Sequence, residues 1–281
     1  MCFISKSVYE THRLMIINEY YQLRNGVEIP KIGFGTWQIT TNAYESTMLA
    51  LKHGYRHIDT AEAYGNESEV GRAIKDSKIP REELFITSKL PAEIKGYQEA
   101  LSHYEASLQR LGFEYLDLYL IHAPWPWHDT KGDYTKQNIE TWKAFIKLYQ
   151  DQKVRSIGVS NFEINHLKAI IDATNFIPFV NQIPVFVGYP QNELRAWCIE
   201  QDIFVEAYSP LATGKLIKKP EIIQMADKYQ VTPAQLCIRF CLELGTLPLP
   251  KSTHEEYIKM NKMVDFRIDR NDLNYLLSLS Q

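Results

Sequence analysis

Asp59 and Tyr64 lie five positions apart in the stretch "GYRHIDTAEAYGNE", residues 54–67. The run "RHID" reads as a short buried strand, and "AEAYGNE" has the small and turn-forming residues of a loop that then enters a helix. An acid and a phenol are therefore expected at one end of one strand. By itself the pair also fits a structural Asp and a loop Tyr, so partners elsewhere in the chain have to decide. Other apolar runs also end in groups that hydrogen-bond: Lys89, His122, Ser160 with Asn161, Gln182, Tyr208 with Ser209, and Lys251 with Ser252. Asp59, Tyr64, Lys89 and His122 make joint chemical sense. A phenol with an ordinary pKa near ~10 is a poor proton donor at neutral pH, and a neighbouring ammonium such as Lys89 lowers that value. Asp59 can hold Lys89 charged and in place, and His122 can orient a carbonyl oxygen toward the Tyr64 hydroxyl. No side chain delivers hydride, so reduction of that carbonyl calls for a nicotinamide cofactor.

Positioning these groups requires strands that end on one face. Eight strand-like runs recur: "KIGFG", "RHID", "LFITSK", "LDLYLIH", "VRSIGVSN", "FVNQ", "IFVEAYS" and "LPLPKS". Amphipathic helical stretches separate them, as in "YQEALSHYEASLQRLG", where Ala100, Tyr104, Leu108 and Leu111 recur at helical spacing before Gly112. Eight strand–helix units predict a closed (β/α)8 TIM barrel, α/β in class, whose functional groups gather where strands end and βα loops begin. Asn25-Gly26 between two short β-prone runs predicts an N-terminal β-hairpin closing the barrel bottom. The domain is expected over 17–281, with 1–16 as a disordered or non-native tail; Met15 is a candidate natural start.

The chain has 281 residues, with 31 Lys plus Arg against 34 Asp plus Glu and a net charge of −3. That balance favours neither nucleic acid nor an anionic membrane surface. No apolar run has the length of a signal peptide or membrane span. The four cysteines, Cys2, Cys198, Cys237 and Cys241, lack zinc-ligand spacing and fit a reducing cytosol; no metal site is expected. Cys237 and Cys241 share a helical face and are expected to pack.

From about Tyr20 to the C-terminus the chain resembles the aldo-keto reductases. "GYRHIDTAEAYGNESEVG" is similar to that family's first signature, and "FITSKL" and "YLIHAP" set Lys89 and His122 in the family's contexts. The resemblance implies that Asp59, Tyr64, Lys89 and His122 are the catalytic quartet. It further implies that Ser160, Asn161 and Gln182 bind a nicotinamide carboxamide, that Tyr208 stacks on the ring, and that Ser209 and Leu211 lie beside the pyrophosphate. By the same resemblance, Lys251, Ser252 and Asn261 contact the adenosine 2′-phosphate and adenine; Thr36, just past the first strand, is expected to face the site among the cofactor residues. No G-x-G-x-x-G fingerprint follows a strand, in keeping with a family that lacks one.

Two departures bear on specificity. Six residues after Lys251 the family usually has an arginine, and here stands Tyr257, which keeps a stacking surface but lacks a charged fork. NADPH is the expected cofactor, with NADH less strongly rejected than usual. Around the pocket, Trp37, Ala123, Trp125 and Phe186 are the expected substrate residues, Trp125 and Phe186 also fitting rim packing. Short loops after Tyr208 and at the C-terminus resemble bacterial members of the 2,5-diketogluconate reductase and glyoxal reductase type. The expected activity is reduction of small aldehydes and ketones, glyoxals and keto-sugar acids, by a cytoplasmic monomer. Two alternatives stay open: a nicotinamide-binding regulatory module with little turnover, and a Schiff-base enzyme using Lys89.

Overall fold

A computed structural model describes residues 15–279. The expected tail lies outside the described residues up to position 14. Ile16, at the end of that stretch, donates its backbone N–H to Asp265 Oδ1 at 2.7 Å.

The expected hairpin forms from β1 (Tyr20–Gln22) and antiparallel β2 (Glu28–Pro30). It packs on the N-terminal end of the barrel. Tyr21 packs at a tilt against Phe204, while the Asn25 side chain donates to the Arg155 carbonyl and Arg24 to that of Ile177.

The barrel follows as β3 (Phe34–Gly35), α1 (Ala43–Lys52), β4 (His57–Asp59), α2 (Glu67–Asp76), β5 (Phe85–Leu90) and α3 (Tyr97–Leu111). It continues as β6 (Leu116–Ile121), α4 (Thr135–Gln150), β7 (Val154–Ser160), α5 (Ile164–Thr174), β8 (Val180–Pro184), α6 (Asn192–Glu200) and β9 (Phe204–Tyr208). The last elements are α7 (Pro220–Lys228), α8 (Pro233–Glu243), β10 (Leu247–Leu249), α9 (Glu255–Asn261) and α10 (Arg270–Ser278). Strands β3 to β10 pair in chain order, all parallel. The ring closes because Gly33 and Gly35 N–H donate to the Pro248 and Pro250 carbonyls at 3.1 and 3.0 Å. A Cβ on Gly33 would stand 2.5 Å from Leu249 Cδ2 and 2.7 Å from His57 Nδ1, so glycine permits this closure.

Strands covered on both faces need apolar side chains throughout, and every residue of β5 and β6 is buried. Helix α3 carries a buried stripe that includes Ala100, Tyr104, Leu108 and Leu111, the spacing read from the sequence. Helix α8 begins with a Thr232–Gln235 capping box and Pro233 at its first position, and it buries Cys237 and Cys241 as expected. Gly71 lets α2 approach α3 closely, since a Cβ there would sit 2.1 Å from the Leu111 carbonyl oxygen.

Candidate active site

The groups named from the sequence meet at the C-terminal ends of the strands. Asp59 ends β4, and a 3-10 turn, Glu62–Tyr64, brings the phenol back over it. That turn is anchored from outside. Glu62 takes contacts from His103 Nδ1 at 2.9 Å and Arg110 at 3.2 Å, both on α3. Glu67, buried at the start of α2, accepts from Arg110 Nε at 2.6 Å and from Ser88 Oγ at 2.5 Å. Both ends of the segment carrying Tyr64 are thus tied to one arginine, and Ser88 adjoins Lys89.

Lys89 is fully buried. Its ammonium donates to Asp59 Oδ1 at 2.7 Å and to the Thr60 carbonyl at 2.8 Å, and it lies 5.1 Å from the centre of the Tyr64 ring. Burial opposes the charge on Lys89, but Asp59, Tyr64 and Glu206 together outweigh it and hold the ammonium above its ordinary range. Tyr64 differs from the expectation of a lowered phenol. Enclosure and the Asp59 charge raise it, Lys89 opposes them through its charge and a hydrogen bond, and the net direction is upward. The phenol therefore holds its proton at neutral pH. His122, just after β6, faces Tyr64 with ring centres 5.6 Å apart. Burial, then the charges of Lys89 and Lys95, push its imidazole down to about 3, so the ring is neutral. Lys95, pulled down to about 7 by burial, donates to the Ala123 carbonyl at 2.6 Å and fixes the chain beyond His122.

Gln182 on β8 joins this centre to a residue that sequence reasoning passed over. Its amide nitrogen donates to Asp59 Oδ2 at 2.8 Å and to Glu206 Oε2 at 2.7 Å. With both amide hydrogens engaged, Gln182 has only its carbonyl oxygen left for a ligand. Glu206 on β9 is fully buried, and burial with the Asp59 charge pushes its carboxyl up to about 8 against the Gln182 hydrogen bond and Lys89. The available signal was a lone carboxylate inside the apolar run "IFVEAYS". His57 on β4, also passed over, is held down to about 3 by burial and by Lys89.

A cavity of about 760 Å³ opens over these groups, lined by Trp37, Tyr64, His122, Trp127, Ser209–Leu211, Thr213 and Lys251. Ser160, Asn161, Gln182 and Tyr208 line it as well. Asn161 is left-handed at φ 61°; it donates to the His122 carbonyl at 2.9 Å and accepts from the Tyr208 hydroxyl at 2.7 Å, linking three expected residues. Thr36, Ala123, Trp125 and Phe186 stand back from the cavity, as do Lys89, Ser252, Tyr257 and Asn261. Thr36 is fully buried, and its hydroxyl donates to the Asp59 carbonyl at 3.0 Å. Ala123 is buried, Trp125 packs edge-on against Trp127, and Phe186 packs against Tyr189. The aromatic wall is supplied by Trp127 instead, because the Trp-Pro-Trp run turns its second tryptophan, 47% exposed, across His122 at 5.7 Å. Beyond Lys251, Ser252 and Asn261 are largely buried, while Tyr257 is 56% exposed and packs edge-on with His254.

A closed parallel barrel thus carries an acid, a phenol, an ammonium and a neutral imidazole together at its C-terminal mouth. The profile of the Aldo/keto reductase family matches residues 31–281, and this chain belongs to that family. It is an NAD(P)H-dependent oxidoreductase. An aldo-keto reductase of Mycolicibacterium smegmatis is 43% identical over 92% of both chains. A glyoxal reductase of Bacillus subtilis is 41% identical over 94% of both, and an aldehyde reductase of Saccharomyces cerevisiae 42% identical over 92% of this chain and 90% of its own. The crystal structure of an aldo/keto reductase from Brucella melitensis superposes with a TM-score of 0.86 at 40% identity, covering 92% of this chain and 98% of that one.

Proposed function

We propose that this enzyme reduces small aldehydes and ketones, with glyoxals and keto-sugar acids as the substrate class, using NADPH in preference to NADH. The observation that carries the reading is that Tyr64 faces His122 with ring centres 5.6 Å apart, beside the buried Asp59–Lys89 pair. The donor set fits a nicotinamide: Gln182 has a free carbonyl oxygen for a carboxamide N–H, and Tyr208 lines the same cavity. Lys251 supplies a cation at the far rim for a 2′-phosphate. A bound reduced nicotinamide supplies the hydride.

The protein's own groups do the rest. His122, neutral, donates a hydrogen bond to the substrate carbonyl oxygen and places it against Tyr64. Tyr64 gives that oxygen its proton, and Lys89, kept charged by Asp59, stabilises the phenolate that remains. Trp37 and Trp127 form an aromatic rim around a cavity suited to a compact substrate. The glyoxal and aldehyde reductases among the relatives support this substrate class.

The test follows nicotinamide absorbance with methylglyoxal, comparing NADPH and NADH at matched subsaturating concentrations. Faster turnover with NADPH is expected, and Tyr64→Phe should lower kcat by about 10²–10⁴ while leaving the cofactor Kd unchanged. Unchanged turnover in Tyr64→Phe would defeat the assignment. Cofactor binding without reduction of any small carbonyl compound would point to a regulatory module.

A further inference from the structure

Glu206 takes no part in the proton transfer described above, yet it lies directly beneath it. It stands two residues before Tyr208 on β9, so both side chains point into the barrel, Tyr208 at the cavity and Glu206 one layer lower. Its register neighbours are Gln182 on β8 and the apolar Leu247 on β10. From β4 it is faced by His57, whose Nε2 is 3.8 Å from Glu206 Oε1, and by Asp59; Lys89 faces it from β5. Oε2 accepts from Gln182, whereas Oε1 has no hydrogen-bond partner. Asp59 and Lys89 cancel in charge and His57 is neutral. An ionised Glu206 is then the uncompensated charge of this cluster, one amide group away from the cavity floor.

We propose that Glu206 is a buried counter-charge for the nicotinamide ring, which makes the site favour oxidised over reduced cofactor as pH rises. The inference rests on the reading that a nicotinamide sits against Gln182. The oxidised ring carries a positive charge that the reduced ring lacks, while the phosphates are the same in both. The ratio of the two dissociation constants therefore isolates the charge at the ring. If that charge favours ionised Glu206, then by linkage ionisation of Glu206 tightens oxidised-cofactor binding by the same factor. Because Glu206 holds its proton up to about 8, the change falls between neutral and alkaline pH. Tyr64 also lines the floor and would respond with the same sign, so the two must be separated.

The experiment measures Kd for NADP+ and for NADPH by quenching of tryptophan fluorescence, which Trp37 and Trp127 report, at pH 6.5 and pH 9. Wild type, Y64F and E206Q are compared. Two unit charges about 10 Å apart at an effective dielectric near 20 couple by roughly ten-fold in binding, so a rise of that order is expected in the ratio Kd(NADPH)/Kd(NADP+). The rise should survive Y64F and vanish in E206Q. A readout on the unmodified protein guards against misfolding of E206Q: calorimetry at pH 8 in two buffers of different ionisation heat should register proton release on binding NADP+ and none on binding NADPH. A flat ratio in wild type, or a rise that persists in E206Q or disappears in Y64F, overturns the proposal. Failure of wild type to bind either nucleotide overturns the underlying reading instead.

Discussion

Replacing Asp59 with Asn tests the electrostatics of the centre as a whole. Lys89 is fully buried, and its ammonium has two partners, Asp59 Oδ1 at 2.7 Å and the Thr60 carbonyl at 2.8 Å. Asn keeps the shape and a neutral acceptor toward Lys89 but removes the charge and sets an amide N–H against the Gln182 donor, and breaking a buried pair from one side costs about 3–5 kcal/mol. Glu206 should moderate that cost. Its carboxyl is pushed up to about 8 by burial and then by the negative charge of Asp59. Without that charge the second cause disappears, Glu206 ionises more readily, and its carboxylate balances Lys89 through Gln182. At pH 7.5 the penalty is expected near the low end, about 3 kcal/mol, and at pH 5.5, with Glu206 protonated, nearer 5 kcal/mol. Urea unfolding of wild type, D59N, E206Q and the double variant measures this directly. D59N should be more costly by about 1–2 kcal/mol in the E206Q background at pH 7.5. A D59N penalty below about 1 kcal/mol, or one identical in both backgrounds, would refute the shared-charge account.

Stability should also fall in mild acid through His57 and His122. Both are held down to about 3 from an ordinary 6.5, so the folded protein keeps them neutral. Their contribution is complete above 6.5 and is lost as pH falls toward 3. At pH 5 the two together should cost about 4 kcal/mol, seen as a lower urea midpoint, and a midpoint unchanged from pH 7 to 5 would contradict their burial as neutral groups. Arg110→Met removes the tie shared by Glu62 and Glu67 and should lower kcat by about 10–100-fold with cofactor affinity unchanged, since displacing Tyr64 by a fraction of an ångström disturbs proton transfer. Equal kcat in this variant would reduce Arg110 to a merely structural role. Tyr257→Arg should sharpen the preference for NADPH over NADH by about ten-fold in kcat/KM, because a guanidinium near Lys251 adds a fork for the 2′-phosphate. An unchanged preference would place that phosphate elsewhere.

Local pattern already determined much of this protein. Eight apolar runs alternating with helical stretches specify a parallel barrel, since strands covered on both faces need apolar side chains and each crossover needs a helix. Polar residues ending apolar runs marked Asp59, Lys89, His122, Gln182 and Tyr208, because inward-pointing strand ends must either bind something or be satisfied. Position in the chain did not determine which neighbours each group meets. The phenol of Tyr64 follows enclosure ahead of Lys89, Thr36 turns its hydroxyl to a carbonyl, and Trp127 replaces Trp125 at the rim because the proline between them redirects the chain. Glu206 is the plainest case. In the sequence it is one acid in a strand, and only closure of the barrel sets it against Gln182, from β8, and within reach of the Asp59 and Lys89 charges from β4 and β5. Charge coupling depends on distance and local dielectric, and both are properties of the folded interior.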